Sequence, residues 1–301
     1  LISVDVPSIN EAVGRGFRDK SLYMFVGKVH VGKTLFLCHL AASFKKSGHS
    51  GVYFTAEMSE NAITHRIDAN VLNMEMSELG KNLGRESYMD KVNSAIKTFK
   101  KGEWFVKEYP PAFSSKNNLT AYLQELKLKK GITPDVVIVD YINQFASARL
   151  PPSAMQNSYL YMKSVTEEMR ALAVENSLPL ITATQLNRDS ANQGVDSADM
   201  TGVGESFSIP QLSDWMGVIV QPPELYEEKK YLLKVLKNRF EENLYEVYTL
   251  GVDRSHMRLF ELSEDQQEVP IVVKDRMHQA DLKRQAVGDD ERIFVFQEDM
   301  K

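Results

Sequence analysis

Gly27-Lys28-Val29-His30-Val31-Gly32-Lys33-Thr34 is the stretch on which the fold turns. It fits G-x-x-x-x-G-K-[ST], and its flanks give that pattern meaning. Residues 22–26 are a short apolar run that reads as a buried strand. Downstream, Leu35, Leu37, Leu40, Ala41 and Phe44 recur at helical spacing until Gly48 stops the helix. A strand, a glycine loop and a helix start in that order make a phosphate cradle. Backbone N–H groups point at the anion and the helix dipole favours its charge. Gly27, Lys28, Val29, His30, Val31, Gly32, Lys33 and Thr34 are therefore all nucleotide-binding candidates, with His30 a spacer. Lys33 is expected to reach the β- and γ-phosphates, and the Thr34 hydroxyl to ligate Mg²⁺.

Strands and helices alternate outward from this loop. Strands are predicted at 51–55, 104–107, 136–139 and 179–184, with helices at about 60–72, 87–101, 117–130 and 153–176. Later strands, at 216–220, 232–235, 244–250 and 257–262, lie too close together for helical crossovers and should pair antiparallel. The reading is an α/β fold with a mostly parallel, twisted sheet, helices on both faces and antiparallel C-terminal strands. In such sheets ligands sit at the carboxyl ends of the strands. Asp140 ends the most apolar strand and suits the acid that holds Mg²⁺ through water. Glu57 follows the strand Gly51–Thr55, and would polarise the attacking water if that strand neighbours the one feeding the loop. Gln185 ends another strand and is placed to hydrogen-bond the γ-phosphate.

Composition excludes several classes. The 301 residues are 43% apolar and 26% charged, which is globular and long enough for a sizeable core. No window approaches the ~18 uninterrupted apolar residues of a membrane helix, and no secretory signal pattern opens the chain. With Cys38 the lone cysteine, a disulfide framework is excluded and a reducing compartment, the cytoplasm, is expected. The histidines are scattered without a His-x-x-x-His pair, which argues against a metal hydrolase. No Asn-Lys-x-Asp motif supports a GTPase switch. Net charge is −5, of which residues 263–301 carry −4, so they read as an acidic tail beyond a nearly neutral body. The chain starts at Leu1 rather than Met, which reads as a processed or excised fragment.

Beyond the loop, Glu57-Met58-Ser59, Val139-Asp140-Tyr141, Thr184-Gln185-Leu186-Asn187-Arg188 and Lys237-Asn238-Arg239 follow in order. Together they resemble the DnaB-type hexameric replicative DNA helicases, and most of all those of T-even-type phages. Residues 66–70, 125–130 and 170–175 add to that likeness, which spans about 6–262. It implies a RecA-like P-loop NTPase motor over 21–262, preceded by a linker at 1–20 that docks on a neighbouring subunit. The collar domain of the family has no counterpart here, so the chain reads as an isolated motor.

The resemblance also assigns roles. Glu57 matches the catalytic glutamate and Gln185 the γ-phosphate sensor. Lys237 and Arg239, which by themselves read as an exposed strand of alternating charge, match a basic pair reaching into the neighbour's nucleotide. Two loops, about 143–157 and 187–210, map onto those that line a DNA channel. Gly204, Glu205, Ser206 and Phe207 match the family's DNA turn, with Gln211 and Asp214 just after it. Because Gly204 replaces an arginine of bacterial members, Arg149 and Arg188 are the alternative phosphate contacts.

The implied function is an NTP-driven, ring-forming helicase motor that moves 5′-to-3′ on single-stranded DNA, fuelled by ATP or GTP with Mg²⁺. Primase, a helicase loader and replisome proteins are its implied partners, in the cytoplasm of a bacterial host if the chain is phage-encoded. The alternative is a RecA-fold ATPase without unwinding activity, recombinase-like or KaiC-like.

Overall fold

The computed structural model describes residues 1–79, 85–99, 102–185 and 212–267. One sheet runs through them in the order β3-β2-β4-β5-β1-β6-β7-β8-β9. The strands are β1 Leu22–Gly27, β2 Gly51–Thr55, β3 Trp104–Glu108, β4 Val136–Asp140 and β5 Leu180–Gln185. They continue as β6 Trp215–Val220, β7 Lys230–Asn238, β8 Val247–Asp253 and β9 Arg258–Glu261. All pairings from β3 to β6 are parallel, and those from β6 to β9 are antiparallel, as the short spacing of the late strands predicts.

The parallel strands are apolar on both faces because both are covered. Tyr23, Phe25, Tyr53 and Ile138 face one core, with side chains of α2 (Lys33–Lys46) and α3 (Glu60–Val71). Their alternates Leu22, Met24, Val26, Val137 and Val139 face a second core, under α6 (Lys116–Lys130) and α7 (Ser158–Glu175). Period-two alternation in each strand thus sorts side chains between two helical layers. The helix expected from about 153 begins at Ser158. Residues 152–156 instead form a 3₁₀ turn after Pro151-Pro152, and the Asn157 side chain caps α7 by accepting from the Leu160 N–H at 3.0 Å. Two further short helices, α4 (Met76–Leu79) and α5 (Arg85–Thr98), precede β3.

The N-terminal segment departs from its reading as a linker. Ile2, Val4, Val6, Ile9, Ala12, Val13 and Phe17 are all buried in the first core, around the short helix α1 (Pro7–Ala12). Phe17 meets Tyr23 and Phe44 edge-on at 4.8 and 5.4 Å, and Trp215 Nε1 donates to the Ala12 carbonyl at 2.7 Å. Within this chain the segment covers apolar surface that its own sheet would otherwise expose. Phe17→Ala is accordingly expected to cost about 3–5 kcal/mol of stability. Chemical denaturation measures it, and a loss below ~1 kcal/mol, well under the usual cost of emptying such a site, would return the segment to the status of a loosely attached linker.

Candidate nucleotide site

The loop between β1 and α2 lies at the carboxyl end of β1. Gly32 there has φ +94°, and a Cβ on it would run into the Tyr231 phenol, so glycine is required twice over. The Lys33 ammonium donates to the carbonyls of Gly27 at 3.1 Å and Lys28 at 2.8 Å, which holds it at the loop. Burial lowers its pKa, while the carboxylates of Asp140 and Glu57 oppose that shift.

Register brings the other groups to the same end. Gly27 is level with Gln185 on β5, and Asp140 is level with Thr55 on β2. Lys33, Thr34, Glu57, Asp140 and Gln185 all line one cavity of ≈ 420 Å³, together with His30 and Gly32 of the loop. Of the basic side chains, Arg66 and Arg254 also line it, whereas Lys237 and Arg239 do not.

Glu57 arrives by a different route from the one expected. The strand before it, β2, does not neighbour β1, since β4 and β5 lie between them. The sheet order instead puts β2 beside β4, and the chain turns over its end: the Ala56 N–H donates to the Asp140 carbonyl, and Thr55 Oγ1 and the Met58 backbone bond each other. That turn carries the exposed Glu57 carboxylate to the cavity.

Asp140 is 1% exposed, and burial raises its pKa. Hydrogen bonds from Tyr53 and Thr34 oppose that shift, the Tyr53 phenol donating at 2.7 Å. Tyr141, adjacent in sequence, organises the side of the cavity: its hydroxyl accepts from Gln185 Nε2 at 3.1 Å and Gln144 Nε2 at 2.7 Å. The sequence gives neither tyrosine a role, because a buried aromatic at a strand looks like ordinary core.

Lys237 and Arg239 lie at the other end of the sheet. Asn238 is level with Trp215, and Trp215 with Tyr23, one residue from the start of β1. Arg239 Nη1 donates to Asp214 at 2.8 Å. The buried Asp214 carboxylate also accepts from Arg170 at 3.0 and 3.2 Å and from the Leu22 N–H at 3.0 Å. Asp214, read from the sequence only as following a DNA turn, is the hub that fixes Arg239. Burial, with Arg239 and Arg170 nearby, brings the Lys237 amine down to about 8.

Of the residues read as DNA contacts, Arg149 is described. It donates to Glu167 at 2.6 Å and lies 3.4 Å from the Glu168 carboxylate, so its charge is already faced by two acids. Arg188, Gly204, Glu205, Ser206, Phe207 and Gln211 lie outside the described residues, as does most of 263–301.

The strand order and a phosphate loop at the central strand define a RecA-like fold. Two solved structures share it. One is of a DnaB-like replicative helicase and its interactions with primase (TM-score 0.70, 14% identity, 87% of this chain and 62% of that one). The other is an isolated ATPase domain (TM-score 0.69, 16% identity, 86% of this chain and 91% of that one). The family model for the DnaB-like helicase C-terminal domain matches residues 2–279, and the chain belongs to that family. It is 32% identical over 261 residues to the DnaB-like replicative helicase of Enterobacteria phage T4, covering 85% of this chain and 54% of that protein. A probable replicative DNA helicase of Trieres chinensis is 25% identical, over 68% of this chain and 44% of its own. The chain thus spans about half the length of the curated relatives it matches.

Proposed function

We propose that this chain is the motor of a replicative DNA helicase, a ring-forming NTPase that moves along single-stranded DNA. One observation carries the reading: the groups for hydrolysis divide between opposite ends of the sheet. Loop, metal-holding acid, base and sensor share one cavity, while the basic pair sits away from it. Such a chain is completed by a neighbour whose Arg239 faces the first chain's nucleotide. A hexamer closes that head-to-tail contact into a ring.

In this reading the loop N–H groups and Lys33 bind the β- and γ-phosphates of ATP or GTP. The Glu57 carboxylate orients the attacking water and accepts its proton, and Gln185, steadied by Tyr141, hydrogen-bonds the γ-phosphate from the side. A hydroxyl and a carboxylate meeting at Thr34 and Asp140 are a hard-oxygen donor set that fits Mg²⁺, which keeps most of its waters. When bound, Mg²⁺ supplies charge neutralisation to the phosphates. Arg239 of the neighbour, with Lys237, stabilises charge developing on the transferred phosphoryl group.

DNA is held through phosphates by the loops at about 143–157 and 187–210, by way of Arg188, the turn Gly204, Glu205, Ser206 and Phe207, and Arg149 once it parts from Glu167 and Glu168. Residues 21–262 act as the motor, and 263–301 as an acidic appendage. Primase, loader and replisome contacts and a place in the bacterial cytoplasm follow from the family.

The test is hydrolysis with and without single-stranded DNA, beside strand separation on a forked duplex. DNA should accelerate hydrolysis irrespective of base sequence, and its binding should fall steeply with salt because phosphate contacts release counterions. Arg188→Ala or Phe207→Ala should reduce DNA-stimulated hydrolysis more than basal hydrolysis. Stimulation by DNA without any strand separation would favour the non-unwinding RecA-fold ATPase instead.

A further inference from the structure

The wall behind the metal-holding acid carries a second, buried layer. Tyr53 sits in the middle of β2 with no exposed surface, on the face that meets α2. Its phenol needs a partner there, since a buried hydroxyl without one is costly. The partner is Asp140 Oδ2, at 2.7 Å. On α2, Thr34 and Cys38 are four residues apart and so lie on one helix face. Thr34 bonds Asp140, and one turn further on the buried Cys38 thiol donates to the Tyr53 oxygen at 4.0 Å. Two residues of the helix thus stand over two of the sheet: Thr34 over Asp140, Cys38 over Tyr53.

We propose that Tyr53 is a positioning residue for the divalent metal of the nucleotide site, fixing the Asp140 carboxylate from the protein interior. The inference rests on the reading of Asp140 as the acid that holds the metal. A carboxylate on a strand end can turn about two side-chain torsions, and a hydrogen bond to one oxygen selects a single setting. Groups that orient the holders of a metal in this way typically contribute roughly 10–100-fold to its affinity. Phenylalanine has the same ring, so Tyr53→Phe removes the bond and keeps the packing.

Mn²⁺ is the probe, titrated into the full chain saturated with ADP and followed by loss of the free-ion electron paramagnetic resonance signal. Tyr53→Phe should raise the Mn²⁺ dissociation constant roughly 10–100-fold, while ADP binding in the presence of EDTA stays as in the parent chain. Asp140→Asn should raise it at least as much, and adding Tyr53→Phe to Asp140→Asn should change nothing further, because the two act through one bond. Cys38→Ala loosens the packing behind the ring but leaves the bond to Asp140, so Mn²⁺ affinity should hold even where the melting temperature falls. A shift in Asp140→Asn with none in Tyr53→Phe would overturn the role of Tyr53 alone. No shift in either would overturn the metal-holding reading of Asp140 beneath it. A Cys38→Ala shift as large as that of Tyr53→Phe would make the effect one of packing and overturn the positioning role.

Discussion

Arg239→Ala should bind nucleotide as the parent chain does and turn it over roughly 10³–10⁵-fold more slowly, the usual contribution of an arginine finger. The geometry explains both halves. Tyr23 and Gly27 are four residues apart on β1, which is about 13 Å at the rise of a strand. Arg239 follows β7, which is two strands over from β1 and ends level with the start of that strand. Two strand spacings add roughly 10 Å sideways. An arginine side chain cannot span that gap to its own loop, so its loss leaves the cavity of its own chain whole. Folding should survive as well, because Asp214 keeps Arg170 and the Leu22 N–H as donors. Turnover at saturating nucleotide, read beside the dissociation constant and the melting temperature, separates these effects. Full activity in Arg239→Ala would end the shared-site account.

Glu57→Gln is the second large effect. Glutamine keeps the size and hydrogen bonding of the side chain but cannot accept the proton of the attacking water. Hydrolysis should slow at least about 100-fold, the low end of general-base effects, with nucleotide affinity retained. Retention follows from the arrangement of the site: the groups read as binding phosphate and metal are Lys33, Thr34 and Asp140. The exposed Glu57 joins them only through the turn after β2. Single-turnover hydrolysis is the measurement, since it excludes product release. Near-normal turnover would remove Glu57 as the base and leave Asp140 or another carboxylate in its place.

Much of this site was legible because it is local. The phosphate loop needs only a strand before it and a helix after it, and both are written in hydrophobic period. Asp140 and Gln185 follow from one rule, that ligands gather where parallel strands end. What failed was the neighbour of each strand. Period gives a strand its faces but not its partners, so β2 was set beside β1 when β4 and β5 intervene.

The Asp214 hub was hidden for the same reason, as it joins α7, β1 and the end of β7. Tyr53 and Tyr141 went without a role because a tyrosine among apolar strand residues carries no sign of what its hydroxyl meets. The first seventeen residues did carry a signal. Ile2, Val4 and Val6 alternate, then Ile9, Ala12 and Val13 fall at helical spacing. That pattern belongs to a segment with a buried face, and here its own sheet buries it.

The central claim, that two chains build one site, is tested most directly by mixing. Arg239→Ala chains hold an intact cavity, and Glu57→Gln chains hold an intact Arg239. Each alone should be nearly inactive. Combined, with mixing verified by energy transfer between labelled chains, they form interfaces that join an intact Glu57 to an intact Arg239. The account predicts that hydrolysis then rises well above either variant alone and peaks near equal proportions. Activity that stays at the level of the separate variants, in rings shown to be mixed, would contradict it.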